Sequence, residues 1–394
     1  MHLVHLALTD FRNYKQLDLP LGPGLFLFCG ENAQGKTNLL EAVSMVATST
    51  SFHASADREV VNWYAPDHLA RIDARVRRRD GELHIEIVIF DPTPPLLGSG
   101  EQALRPPPRW PGGTQRKRIK INEVPRRALD LIGSLTNVLF APADLHLVDG
   151  SPDERRRFID RSLCQVRPRY CQALQQYRKV IMQRAALLKR IRDYHEDPRL
   201  LDYLDERLTL LATMIMFERE RMLSALNELA APFQEQLSGG REQLQIVYRP
   251  SFQLHPQRSL TEAQEHYLRQ LHAMRQKEIQ QGVCLLGPHR DDLEFLVNGM
   301  SVITYGSRGQ QRTVALATKF AELAYMRAVT GDEPVLLLDD VFSELDQRRR
   351  EQLLQAILDH EQVLLTTTDT SYFPPEVLER ASKYQVVNGQ LYPW

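Results

Sequence analysis

Residues 25–43 read LFLFCGENAQGKTNLLEAV, and the order of elements within this stretch decides how the rest of the chain is read. Leu25 to Cys29 are an apolar run of strand length. Gly30-Glu31-Asn32-Ala33-Gln34-Gly35-Lys36-Thr37 then fits G-x-x-x-x-G-K-T, and Asn38 to Met45 continue with helical spacing. Strand, glycine loop and helix in that order predict a phosphate site, where the pattern alone would be a glycine-rich turn. Gly30 and Gly35 let the backbone curl until successive N–H groups face inward as an anion nest. The helix start adds its positive dipole end. Lys36 brings a point charge to the β- and γ-phosphates, and the Thr37 hydroxyl is a ligand for Mg²⁺. The ligand this predicts is a nucleoside triphosphate.

Outside that stretch, composition sets limits. A chain of 394 residues has room for two or three compact units. The formal net charge of −1 excludes a uniformly basic protein, so any nucleic-acid surface must be a local patch balanced by acid elsewhere. Cys29, Cys164, Cys171 and Cys284 show no C-x-x-C pairing, which suggests neither zinc nor a disulfide framework. Residues 1–15 are too polar for a signal peptide, and no apolar run approaches membrane-spanning length. The expectation is a soluble, cytoplasmic protein with no membrane partner.

Working outward, residues 3–8 alternate as a strand, Asp10 to Tyr14 form a turn, and a second strand around Leu17 to Leu19 feeds the glycine loop. Ala70 to Arg77 and Glu82 to Phe90 flank Asp80-Gly81, a hairpin signal. From Asp91 to Gly113 prolines and glycines crowd the chain, and the segment reads as an exposed loop. Arg116 to Asn122 read as a basic strand. Ser151, Pro152, Asp153 and Glu154 are a helix-start signal. The text from there to about Phe233 is helical, with breaks expected at Pro198 and Pro232, and the insertion's last helix is expected over Thr261 to Gln281. It lacks a sustained heptad seam, which argues for a compact lobe rather than a long coiled coil. After Gly287 the chain returns to alternating strands and helices, which implies a largely parallel sheet.

Three later segments narrow the class. Pro334-Val335-Leu336-Leu337-Leu338-Asp339-Asp340 is an apolar strand ending in two carboxylates. This suits a magnesium-binding Asp339 followed by Asp340 as the group that polarises the attacking water; an Asp-Asp pair ending a strand as a cap is the bland alternative. Ser307-Arg308-Gly309-Gln310-Gln311 opens a helix with a serine N-cap, a glycine and a dipole end, which is a second anion site. The first loop already holds one nucleotide. The economical reading is that Ser307, Gly309 and Gln310 meet the γ-phosphate of a nucleotide bound by another copy, the alternative being a plain capped helix. Ser343-Glu344-Leu345-Asp346 would communicate between the two sites.

This succession, with a helical insertion after the first motif, resembles the ABC-type ATPases and, within them, their chromosome-maintenance and recombination branch. LTDFRNY (8–14), GENAQGKTNLLEA (30–42), LVDGSPDERRRFID (147–160), LLGPHRDDLEF (285–295), SRGQQR (307–312) and LLLDDVFSELD (336–346) are similar to the RecF family in particular. The resemblance implies an α/β fold: an ABC-type, SMC-like P-loop ATPase head with a mixed sheet, plus a compact, mostly helical second lobe without a long coiled coil. The head would comprise 1–150 and 283–394 and the lobe 151–282. It implies ATP as the nucleotide, Mg²⁺, weak DNA-stimulated hydrolysis and an ATP-dependent homodimer that clamps DNA. Double-stranded DNA, single-strand/double-strand junctions and RecR- and RecO-type mediators are the implied partners, and recombinase loading in gap repair is the implied work. Arg12, in the turn before the loop, becomes a phosphate or base contact.

Some residues depart from the pattern. Ala143 stands where the family usually has Glu, in Pro142-Ala143-Asp144-Leu145. Asp340 stands where most ABC-type ATPases have Glu, and Thr366-Thr367-Thr368-Asp369 where many carry a switch histidine. A shorter carboxylate and no histidine imply slow hydrolysis, with dimerisation as the working step. Of the rivals, a transporter subunit would need a different partner-binding segment, a chromosome-condensing clamp a far longer arm, and a P-loop kinase would leave Ser307 to Gln311 unexplained. Basic clusters at Arg75 to Arg79, Arg116 to Lys120, Arg126-Arg127 and Arg155 to Arg157 are candidate DNA contacts; Arg116, Lys117, Arg118 and Lys120 are the choice. Arg155 to Arg157 can instead pair with Asp153, Glu154 and Asp160. His289, Asp291 and Asp292 read as structural rather than as a metal site.

Overall fold

In the computed structural model, residues 1–91, 116–253 and 259–394 are described. The expected proline-rich loop lies outside them from residue 92 onward. The chain folds as two compact units, Met1–Asp144 with Met326–Trp394, and Leu145–Tyr325.

Among the described residues the first unit contains two six-stranded sheets. One is antiparallel, in the order Tyr14–Pro20, His2–Phe11, Leu69–Arg78, Gly81–Phe90, Lys117–Ile121, Val124–Arg126. Period-two patterning builds it: Ala70, Ile72, Ala74 and Val76 are buried, while Arg71, Arg75 and Arg77 take the other face. Arg78 pairs with Gly81 across the expected hairpin turn. The other sheet runs Gln390–Pro393, Ser382–Val387, Gly24–Cys29, Gln362–Thr367, Val335–Asp339, Asn137–Phe140, all neighbours parallel except the first pair. Its inner strands are near-continuous apolar runs, as expected of strands covered on both faces.

Helix Lys36–Thr48 has a wide apolar surface: Leu39, Leu40, Val43 and Val46 share one core cluster with Leu6 and Ile72 of the antiparallel sheet and Leu364 of the parallel one. Truncating one such leucine to alanine would cost about 2–5 kcal/mol. Parallel pairing matters most for the site. It sets Thr367 beside Cys29 and Thr366 beside Asp339, so the glycine loop and the two aspartates leave the sheet at the same carboxyl edge.

The second unit holds helices Pro152–Val166, Pro168–Tyr194, Asp202–Ser238 and Leu260–Gln281. Ser151 caps the first through a capping box with Glu154, as its sequence indicated. Pro232, expected to mark a break, lies inside Asp202–Ser238. Its missing N–H removes one helical bond, but buried Ala230 and Gln234 and the stacking of Phe233 on Phe320 at 5.2 Å hold the helix together there.

This unit is also less purely helical than its text. Leu244–Arg249 is a strand, paired antiparallel with Asp292–Val297, which pairs with Met300–Ser301. That pairing is one reason the units divide at Asp144 and Tyr325 rather than at 150 and 282: residues 283–325, expected with the head, group with the helical unit. The start of helix Arg308–Thr330 adds to this, with Gln310 Nε2 donating to Glu242 Oε1 at 3.0 Å.

Candidate functional site

The loop after strand Gly24–Cys29 takes the curled form its glycines allow. Ala33 and Gly35 have φ of 65° and 115°. A Cβ at Gly35 would meet Asn13 Nδ2 at 2.6 Å, and one at Gly30 would meet Val386 O at 2.5 Å. Gly30 is therefore glycine for want of space, and Gly35 for want of space and for its positive φ. Gly35 is the N-cap of helix Lys36–Thr48 and, among the described residues, no side chain caps it. Its first N–H groups point where an anion would sit.

Lys36 is 6% exposed, and its Nζ donates to the carbonyls of Gly30 at 2.6 Å and Glu31 at 2.8 Å. Burial lowers its ammonium from the ordinary value, and the Asp340 and Asp339 carboxylates oppose that shift. Glu31, Asn32 and Ala33 are exposed at the loop tip. Asn38, in the first helical turn, donates from Nδ2 to Asn13 Oδ1 at 2.8 Å.

Thr37 and Asp339, 302 residues apart, meet directly: Thr37 Oγ1 lies 2.9 Å from both carboxylate oxygens. Burial raises the Asp339 carboxyl above its usual range, and hydrogen bonds from Thr366 and Thr37 oppose the rise. Asp340 follows with φ 49°, left-handed for a non-glycine residue. Its backbone N–H donates to Thr366, Ser343 Oγ donates to its carbonyl at 2.7 Å and to Oδ2 at 3.2 Å, and its buried Oδ1 has no hydrogen-bond partner among the described residues. Hydroxyl and carboxylate oxygens converging in this way are the donor set that suits magnesium, and the unsatisfied Oδ1 suits a water.

Arg12 does not face this centre as an open cation. Its Nε and Nη2 grip Glu41 at 2.8 and 2.7 Å, and Nη1 donates to Glu59 O at 2.8 Å. The guanidinium instead borders a cavity of about 480 Å³ beside the loop, lined also by Asn13, Lys15, Asn38, Trp63 and Tyr64. Trp63 is 84% exposed. Sequence reasoning placed Asn13 and Tyr14 in the turn before the loop but gave neither a role, and it passed over Trp63 and Tyr64, for which only the adjacent Trp-Tyr in a polar stretch was a signal. Tyr14 OH donates to Gly35 O at 3.0 Å and so buttresses the loop from beneath.

Ser307 sits at the exposed start of helix Arg308–Thr330. Its Oγ accepts the Gln310 N–H at 3.2 Å, and Gln310 Oε1 accepts the Ser307 N–H at 2.9 Å, a reciprocal cap. Gly309 O accepts from Thr313 Oγ1 within the same helix. Asp144 caps a turn, its Oδ2 accepting the Ala141 N–H at 2.7 Å.

The basic clusters are uneven. Lys117 turns inward to Asp57 at 2.7 Å and Ser49 O, and is withdrawn from any DNA surface because it sits on the same strand face as buried Ile119. Arg118 and Lys120 stand on the opposite face near Glu86, at 4.0 and 3.5 Å, and Arg116 is exposed. Arg155 is locked on Asp292 at 2.7 Å and Arg156 on Asp291 O, while Arg157 pairs with Asp153. His289 bonds Tyr177, and Asp291 receives Arg219, so that turn is a structural hub.

Comparison with known proteins places this geometry. A family model described as an AAA domain matches residues 5–245. The DNA replication and repair protein RecF of Chloroflexus aurantiacus is 43% identical over 407 residues, covering 100% of both chains. That of Geobacillus kaustophilus is 39% identical over 393 residues, covering 99% of each. Among solved structures, the recombination mediator protein RecF with ATP, of the RecFOR pathway, superposes with a TM-score of 0.86 at 28% identity, covering 100% of this chain and 97% of that one. The Smc head bound to the C-winged helix domain of ScpA gives 0.55 at 15% identity over 100% and 97%, a likeness of fold alone. The fold is thus that of the ABC-type ATPase heads.

Proposed function

Since the chain belongs to the RecF family of DNA replication and repair proteins, we propose that its head binds ATP with Mg²⁺ on the Gly30–Thr37 loop and then joins a second copy head-to-tail around duplex DNA. The observation that carries this is the meeting of Thr37 with Asp339 at the open start of the loop helix.

Lys36, resting on two loop carbonyls, exchanges them for the β- and γ-phosphate oxygens. Thr37 Oγ1 and the Asp339 carboxylate are the oxygens that would hold Mg²⁺, which when bound neutralises charge between those phosphates. Asp340, kept left-handed by Thr366 and Ser343, offers its unpartnered Oδ1 to the attacking water. The base and ribose take the cavity beside Asn13 and Asn38. A hydroxyl that accepts one bond still donates one, so Ser307, while capping its own helix, can meet the γ-phosphate held by another copy. Hydrolysis, stimulated by DNA, is slow and ends the clamp. Gap repair with RecR- and RecO-type partners in the cytoplasm is the corresponding work; among the described residues no helix is long and apolar enough to cross a membrane.

Solution molar mass with and without ATP tests this, for wild type, Lys36→Met and Asp340→Asn. A dimer that needs ATP, persists in Asp340→Asn and is lost in Lys36→Met supports the clamp. A mass indifferent to ATP reduces Ser307 to a helix cap. Fast single-turnover hydrolysis by the wild type removes the slow-clamp reading.

A further inference from the structure

Gln34, the residue before Gly35, is held from three directions. Its backbone carbonyl accepts Asn13 Nδ2 at 2.8 Å and the Gly389 N–H at 3.0 Å. Its side-chain Oε1 accepts the Asn388 N–H at 2.8 Å. Asn388 and Gly389 have φ of 47° and 74° and close the hairpin between Ser382–Val387 and Gln390–Pro393, with Val387 opposite Gln390. Two consecutive positive φ values are what an Asn-Gly hairpin turn requires.

The same hairpin reaches the other end of the loop. Gly30 lies so close to Val386 O that a Cβ there would approach it to 2.5 Å. At Gly389 a Cβ would fall 2.3 Å from Asn13 O, so the turn, the Asn13 backbone and Gln34 are packed without slack. An anion nest works only if its carbonyls point out while its N–H groups point in. Two donors fix the Gln34 carbonyl on the outer side, and the N–H groups of Gly35 and Lys36 follow it in the chain.

We propose that the Asn388-Gly389 turn is a latch that pre-forms the phosphate loop, with Gln34, Asn388 and Gly389 as positioning residues for the polyphosphate of the nucleotide. This rests on the nucleotide reading above. Ordering a loop before its ligand arrives removes that cost from binding. The latch touches backbone and not base, so its effect is blind to the identity of the base.

The test is a titration of full-length protein with a fluorescent ATP analogue, competed by ADP, GTP and inorganic triphosphate. Unfolding temperature is measured alongside without nucleotide. Gly389→Ala should weaken all four by a common factor of about 10, and Gln34→Ala by about 3, as one or two lost hydrogen bonds imply. KM for ATP should rise with kcat unchanged. Asn388→Gly keeps the donor and suits the backbone, and should stay within about twofold. If Gly389→Ala does not fold, Gln34→Ala decides, since its side chain is half-exposed. Folded variants that bind ATP as wild type does would overturn the latch, as would losses that differ between ATP and GTP. A wild type that binds no ATP, with Lys36→Met no different, would instead overturn the nucleotide reading.

Discussion

The Thr366 hydroxyl donates to Asp339 Oδ1 at 2.8 Å and accepts the Asp340 backbone N–H at 3.0 Å, so one side chain sets two neighbouring carboxylates. Thr366→Val keeps the shape and removes both bonds. The expected result is a 10–100-fold loss of magnesium-dependent ATP affinity, the usual order for a ligand's orienting partner. Affinity in chelator should barely change. Thr366→Ser restores the hydroxyl and should recover most of the loss; comparing titrations with and without Mg²⁺ checks this.

Lys117 and its neighbours on the basic strand should separate into two behaviours. Neutralising Arg118 and Lys120 is expected to weaken binding to all duplex sequences alike and to reduce the log–log salt slope by up to about 2. Lys117→Ala should leave the slope unchanged and lower the unfolding temperature, because its ammonium closes on Asp57 and Ser49. A slope unmoved by the double change would take DNA off this face.

His289 gives the helical unit an acid-sensitive point. Burial pushes its imidazole down to about 4, with Nδ1 bonded to Tyr177 and Nε2 to Cys284 O. The folded state therefore holds it neutral, while the unfolded chain protonates near 6.5. Stability is full above about pH 6.5 and falls as pH drops toward 4, by up to about 3 kcal/mol. Unfolding midpoints across that window should be flatter in His289→Gln than in wild type.

Arg184 is fully buried between two carboxylates that are themselves fully buried, Asp205 at 2.6 Å and Glu278 at 2.7 Å. Arg184→Ala takes the arginine from Glu278 and leaves Asp205 with Arg275 alone, and a loss of about 3–5 kcal/mol is expected. Arg184→Met with Glu278→Gln should recover much of it, since Asp205 keeps its ion pair with Arg275 and no buried charge is left unpaired. Denaturant unfolding of wild type and the two variants measures the difference.

Much of the head was readable because local rules decided it. Strand, loop and helix at 24–48, the hairpin at Arg78–Gly81 and the Ser151 cap all came from spacing and turn chemistry within a few residues. Strand Leu244–Arg249 was lost because helices flank it and its partner Asp292–Val297 lies beyond the next helix in the chain. Pro232 misled because packing of Phe233 outweighs a local breaker. At the candidate site, the motifs picked out Thr37 and Asp339, which the structure brings together, whereas Arg12 and Lys117 turn inward to acids that no local pattern announces. Thr366 and Gly389 escaped for the same reason: each acts through a backbone group hundreds of residues away or across a strand pair.

Strand Gly24–Cys29 has two neighbours, Gln362–Thr367 and Ser382–Val387, and both follow it by more than 330 residues. At ribosomal rates of 5–20 residues per second, roughly 20–60 s pass before either edge of LFLFC can be covered. The phosphate loop is thus translated early and becomes competent late. A ribosome stalled in that interval leaves a short apolar strand bare on both sides, so interrupted chains are an aggregation hazard for the cell rather than weak binders of nucleotide.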